Sequence, residues 1–166
     1  MGISFLSLVL LLLVWAGPWS EVYAQRKAVS ASEVTGTFRS YFKGKFRRSY
    51  NEILIQSLGT NKLRIEMELI YPFEVNREKV VHTGTATGEA VLKGDTAVFV
   101  PADAGRDDEP CKITLKFLKP GTLVVTSENS ISCGFGFNVS ADGRYKKVSR
   151  ARPQFRSPTS SGSPKP

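Results

Sequence analysis

Strict two-residue alternation constrains this chain more than any other feature. Between Lys62 and Tyr71 the apolar residues Leu63, Ile65, Met67, Leu69 and Tyr71 interleave with Lys62, Arg64, Glu66 and Glu68. Side chains of an extended strand point alternately to opposite faces, so this stretch has one buried and one solvated face, whereas a helix would scatter the same residues all round. The pattern recurs in Ile113, Leu115 and Phe117 against Lys112, Thr114 and Lys116, and more loosely over 37–42, 52–58, 83–92, 96–100, 122–126 and 144–148. That makes about eight strands.

Turn residues separate them: Gly59-Thr60-Asn61, Pro72 onward, Lys93-Gly94-Asp95, Lys119-Pro120-Gly121 and Asp142-Gly143. Connections this short pair neighbouring strands antiparallel. The expected fold is all-β, an antiparallel up-and-down meander of about eight strands forming a small barrel, with a two-sheet β-sandwich as the alternative. Gly36-Thr37-Phe38 and Gly143-Arg144-Tyr145 open the first and last strands with the same glycine-to-aromatic spacing, a hint that the two ends meet. Two short stretches can hold a helical turn: 29–34, where Ser30 or Ser32 can cap, and 74–81 around Asn76-Arg77-Glu78-Lys79.

The ends of the chain differ from its middle. An apolar run over 3–16, about 14 residues, is too short to span a hydrocarbon layer of roughly 30 Å, and Gly17-Pro18 follows it. With Val22-Tyr23-Ala24 behind it, residues 1–24 read as a signal peptide cut after Ala24, so the chain is expected to be secreted or periplasmic, with no transmembrane span once the signal is removed. Residues 25–33 are read as a linker, 34–150 as a single β domain, and 151–166 as a disordered tail rich in proline and serine.

Charge and cysteines narrow the partners. The whole chain carries +8. Without 1–24, which holds Glu21 and no base, 23 basic residues face 14 acidic ones, or +9. An exported protein of this charge is not expected to bind nucleic acid, which leaves an anionic glycan, a lipid head group or an acidic protein. Cys111 and Cys133 are expected to form one disulfide, because a hairpin about Lys119-Pro120-Gly121 returns the chain toward Cys111. Such a bridge closes a loop of about 23 residues, and the chain-entropy model gives it roughly 3 kcal/mol.

Little in the sequence suggests catalysis. His82 is the one histidine, and no G-x-S-x-G accompanies it. Glu66 and Glu68 share a strand face with Lys62 and Arg64, which reads as solvated mixed charge rather than a carboxylate pair for hydrolysis. The acidic stretch 103–109 lacks the order of a calcium loop, and Gly134-Phe135-Gly136-Phe137 opens no helix as a nucleotide loop would. Those glycines are expected to bend the backbone while Phe135 and Phe137 enter the core. No cofactor or metal is expected, and Asn138-Val139-Ser140 is a formal glycosylation acceptor.

The best candidate surface is 41–50, which interleaves four aromatics with four bases. Tyr41, Lys43, Lys45, Phe46, Arg47 and Arg48 are its candidate binding residues: rings can stack on sugars or sit at a lipid interface, while the bases hold phosphate or carboxylate groups.

From Gly88-Glu89-Ala90 through Gly94-Asp95-Thr96-Ala97-Val98-Phe99, Cys111-Lys112-Ile113-Thr114-Leu115 and Cys133-Gly134 to Ala141-Asp142-Gly143-Arg144-Tyr145-Lys146-Lys147, about 60 residues resemble small secreted bacterial β proteins of uncharacterised function. In layout these are similar to bacterial lysozyme-inhibitor barrels. The resemblance implies a small barrel, and no inhibitory loop carries over residue by residue. From the export signal, the positive charge and the basic-aromatic surface, the expected function is that of an exported, non-enzymatic binding module, the alternatives being a calycin-like carrier of a small apolar ligand or an inhibitor of a secreted hydrolase.

Overall fold

The computed structural model describes residues 28–102 and 109–156. The signal-peptide reading, most of the acidic stretch and the tail beyond Arg156 lie outside these residues. Among the described residues, eight strands form one antiparallel meander that closes on itself: β1 Gly36–Tyr41, β2 Tyr50–Gly59, β3 Lys62–Val75, β4 Glu78–Lys93, β5 Thr96–Phe99, β6 Lys112–Leu118, β7 Thr122–Glu128 and β8 Gly143–Ser149. Each strand expected from alternation is present, and the barrel form is the correct one of the two arrangements.

Closure falls between β1 and β8, where Phe38 pairs with Lys147 and Arg39 with Lys146, with a bulge beside Thr37. Gly36 makes this seam possible. Its φ is +145°, and a Cβ there would stand 2.2 Å from the Ser149 carbonyl oxygen, so only glycine lets the two backbones approach. The aromatics two residues beyond the paired glycines, Phe38 and Tyr145, both fill the interior. Burial pushes the Tyr145 phenol well above its ordinary pKa, and its hydroxyl donates to the Ala141 carbonyl at 2.8 Å.

The inward set completes a filled core: Ile53, Ile55, Leu63, Ile65, Met67, Leu69, Phe99, Ile113, Leu115 and Leu123 are all buried. On β4 this face is Gly84, Ala86, Gly88 and Ala90, small residues that make room for neighbouring rings. A Cβ on Gly88 would meet Phe99 at 2.8 Å, and one on Gly84 would meet Phe135 at 3.0 Å. Large side chains therefore sit where the facing strand is bare.

In an up-and-down barrel, alternate connections gather at opposite ends. The lower end has the tight turns β2–β3, β4–β5 and β6–β7, and α1, Ala31–Val34, plugs it with the fully buried Val34. Ser30 caps α1, in agreement with the sequence, and Glu33 closes a capping box back to the Ser30 N–H at 2.8 Å. Lys147 reaches in from β8 and donates to the carbonyls of Ser32, Glu33 and Thr35 at 3.0, 2.6 and 2.9 Å. Its partial burial lowers the ammonium pKa. Lys119 lies 2.8 Å from Glu33 and, by its hydrogen bond, holds that carboxyl at about 2. The boundary between linker and domain at 33/34 thus falls inside a helix that is tied to the barrel, and Val29 also packs on the core.

One expected helical turn is absent. Residues 74–81 form the tip of a hairpin in which Val75 pairs with Glu78, and Asn76 and Arg77 occupy the turn with φ of +50° and +66°. A two-residue turn with both φ positive matches the twist of the flanking strands, so the β3–β4 pairing runs through the polar stretch instead of stopping, but the alternation of burial ends there: Tyr71, expected on the buried face, is 37% exposed because the hairpin leaves the barrel wall at this point.

Candidate functional site

The upper end carries the long connections. Because β2 pairs with β3 only as far as Glu68, and β5 pairs with β4 only from Ala90, the β3–β4 hairpin continues past the barrel as a two-stranded arm. The arm's edge on β4 is taken up by other connections: Ala102 donates to Thr87 O at 2.9 Å and Gly136 to Thr83 O at 3.2 Å.

The β1–β2 connection folds on itself beside this arm. A 3-10 turn at Gly44–Phe46 is closed by Arg47 N–H to Gly44 O at 3.2 Å and Ser49 N–H to Phe46 O at 2.8 Å, and Gly44 supplies the positive φ. Lys45 ties the turn to the arm through Glu74 at 2.8 Å. Between them lies a shallow groove of about 220 Å³, lined by Lys45, Phe46, Arg47, Arg48, Ser49 and Lys79.

Four of the six residues singled out from the sequence therefore meet in one groove. Lys43 is exposed beside it, outside its lining. Tyr41 lies below it on the outer barrel wall, 52% exposed, its ring 5.4 Å from that of Tyr50. Arg39 stacks over Tyr50 at 4.2 Å and pairs with Glu52, which raises the guanidinium pKa further. Lys79 is the groove residue that sequence reasoning missed: read as part of a helical turn, it had no defined direction, and only the pairing of Glu74 with Lys79 across the arm brings it beside the loop. Among the described residues, Glu74 is the one carboxylate within ion-pair distance of a groove base.

Across the mouth, the 129–142 connection caps the barrel. Near its start a 3-10 turn, Ser130–Cys133, ends on Cys133, which is joined to Cys111 by the expected disulfide, with Cα atoms 4.8 Å apart. Gly136 lies so close to β4 that a Cβ would meet Thr83 O at 2.5 Å. Phe135 packs against the core as expected, but Phe137 does not: it is 75% exposed. Directly after Gly136 the chain turns, with Val139 N–H donating to Gly136 O at 3.0 Å and Asn138 at φ of +61°, so Phe137 stands at the corner of a turn instead of continuing the inward path of Phe135. Phe137 instead joins Tyr71, Phe73 and His82, with the His82 ring 4.5 Å from Phe73 and 5.8 Å from Phe137. His82 Nδ1 lies 2.7 Å from Phe137 O, so the histidine secures the cap. Among the described residues no three His, Cys, Asp or Glu side chains cluster as metal ligands. Asn138 is exposed and accessible as a glycosylation acceptor.

Glu66 also differs from the sequence reading. Glu66 points outward yet is only 6% exposed, because residues 151–156 lie over it. No helix among the described residues is long and apolar enough to cross a membrane. No family model, curated protein or solved structure matches the chain.

Proposed function

We propose that this protein is an exported, non-catalytic binding module that holds an anionic partner, whether an anionic glycan, a lipid head group or an acidic protein, in the groove between the 3-10 turn and the β3–β4 arm. The observation that carries this reading is the convergence of Lys45, Arg47, Arg48 and Lys79, from two separate elements, on one concave surface edged by Phe46. Folding brings these like charges together against their mutual repulsion, and an anionic group in the groove would relieve it. The disulfide supports export, since such bonds persist in oxidising compartments. The filled interior favours the outer groove over a carrier's cavity. Inhibition of a secreted hydrolase would be a special case, with an acidic surface of the enzyme in the groove.

The test is retention on a dextran sulfate column and on vesicles containing anionic lipid, for the chain from residue 25 onward. The Arg47→Glu/Lys79→Glu variant should lose about tenfold in affinity, the equivalent of two exposed charge contacts. Lys62→Glu/Lys93→Glu, which makes the same change in net charge at the lower end, should lose far less. Equal losses in the two variants would show that net charge alone drives binding, and would remove the groove from the account.

A further inference from the structure

Residues 151–156 form no strand, yet they lie on the outer wall of β2 and β3 through contacts made by Arg152, Phe155 and Arg156. With its amide oriented by hydrogen bonding, Gln56 accepts from Arg152 Nε at 3.0 Å and Nη2 at 2.7 Å. The Arg64 guanidinium stacks over the Phe155 ring at 4.3 Å. Arg156 places its backbone N–H 3.2 Å from Glu66 Oε2 and its guanidinium 2.7 Å from Glu68 Oε1. Gln56 and Arg64 face each other across the β2–β3 ladder, and Glu66 and Glu68 follow along β3 at two-residue spacing. The wall thus presents, in order, an amide acceptor, a cation for a ring, and two carboxylates for a donor and a charge. The sequence that meets them is Arg152-Pro153-Gln154-Phe155-Arg156.

We propose that this ledge is a peptide-binding site for extended segments of the pattern Arg-x-x-Phe-Arg, filled in cis by the chain's own tail as a detachable ligand. Two features separate it from an ordinary piece of the core. The contacts are made by side chains on the outer face of a barrel whose ladder is already complete without the tail. The occupant is fixed by complementarity rather than by apolar burial: Arg156 and Arg152 remain exposed, and one ring provides the apolar contact. A short tether from Ser149 keeps the tail at an effective concentration of about millimolar, so the site is masked in the intact chain and accepts a second peptide only when the cis segment is weakened. Two of the chain's bases are thereby spent on its own wall, away from the groove at the upper rim.

The experiment follows backbone amide resonances of the full chain. Phe155→Ser should shift the amides of 54–56 and 64–68 and leave those of β6 and β7 in place. Adding a synthetic peptide of residues 151–158 to this variant should then return the shifted resonances saturably toward their wild-type positions. Arg64→Ala or Glu68→Gln in the same background should abolish that return. The proposal is overturned if Phe155→Ser leaves the β2–β3 amides unchanged, if its shifts spread through the whole barrel as for a structural element, or if the peptide restores nothing up to its solubility limit.

Discussion

Removing the disulfide tests the energetics of this barrel most directly. Cys111 and Cys133 are 22 residues apart in sequence. Opening a loop of that length returns about 11 cal/mol/K of chain entropy to the unfolded state, or about 3.4 kcal/mol at 25 °C. Both sulfurs are buried, so Cys111→Ala/Cys133→Ala also loses some packing, and the expected total is about 4 kcal/mol. For a domain of this size, unfolding entropy near the midpoint is about 0.27 kcal/mol/K, which converts the loss into a Tm lower by about 12–15 °C. The assay is thermal melting by far-UV circular dichroism at pH 7, with urea titration alongside. The urea m-value should rise, since the uncrosslinked unfolded chain exposes more surface. The double variant is the informative one, because a single replacement leaves a free thiol that can cross-link molecules. A Tm drop below about 4 °C with an unchanged m-value would refute the reasoning: it would mean that the β6–β7 hairpin inside the loop already restricts the unfolded chain as strongly as the bridge does.

Two further outcomes follow from named contacts. Gly36→Ala forces a Cβ against the Ser149 carbonyl at the closing seam and should cost about 3 kcal/mol, with faster amide exchange at Phe38 and Lys147, whereas Gly59→Ala, at positive φ but with open space around it, should cost only about 1 kcal/mol in the same urea titration. The Glu33 carboxyl sits at about 2 in the fold and at its ordinary 4.5 when unfolded, so its ion pair with Lys119 stabilises α1 fully above pH 4.5 and is lost as pH falls from there toward 2. Glu33→Gln should flatten that acid limb, and a melting profile between pH 2 and 6 that is identical for the two proteins would show that the latch contributes nothing.

Local chemistry decided a large part of this protein. Alternation over 62–71 and 112–117 needed only the two-fold repeat of an extended backbone, and short turns then imposed antiparallel neighbours, so the eight strands, the meander and the Cys111–Cys133 bridge were all legible. The basic-aromatic segment was legible too, because charge and rings crowd into ten residues. Several features depended on long-range placement. Asn76 and Arg77 could turn a hairpin or start a helix, and the length of the β3–β4 ladder decided it. Phe137 turned outward because the chain, held against β4 at Gly136, turns at once through Asn138 back to Val139. Lys79 joined the groove, and Glu66 was covered, through segments 30 and 90 residues away in sequence that no local pattern links to them. The sequence by itself determined which face of each barrel strand turns inward, since that follows from the two-residue repeat of an extended backbone and from where the apolar side chains fall on it. Which outward-facing side chains share a surface depends on how a closed barrel brings distant strands side by side, and only the tertiary structure decided that.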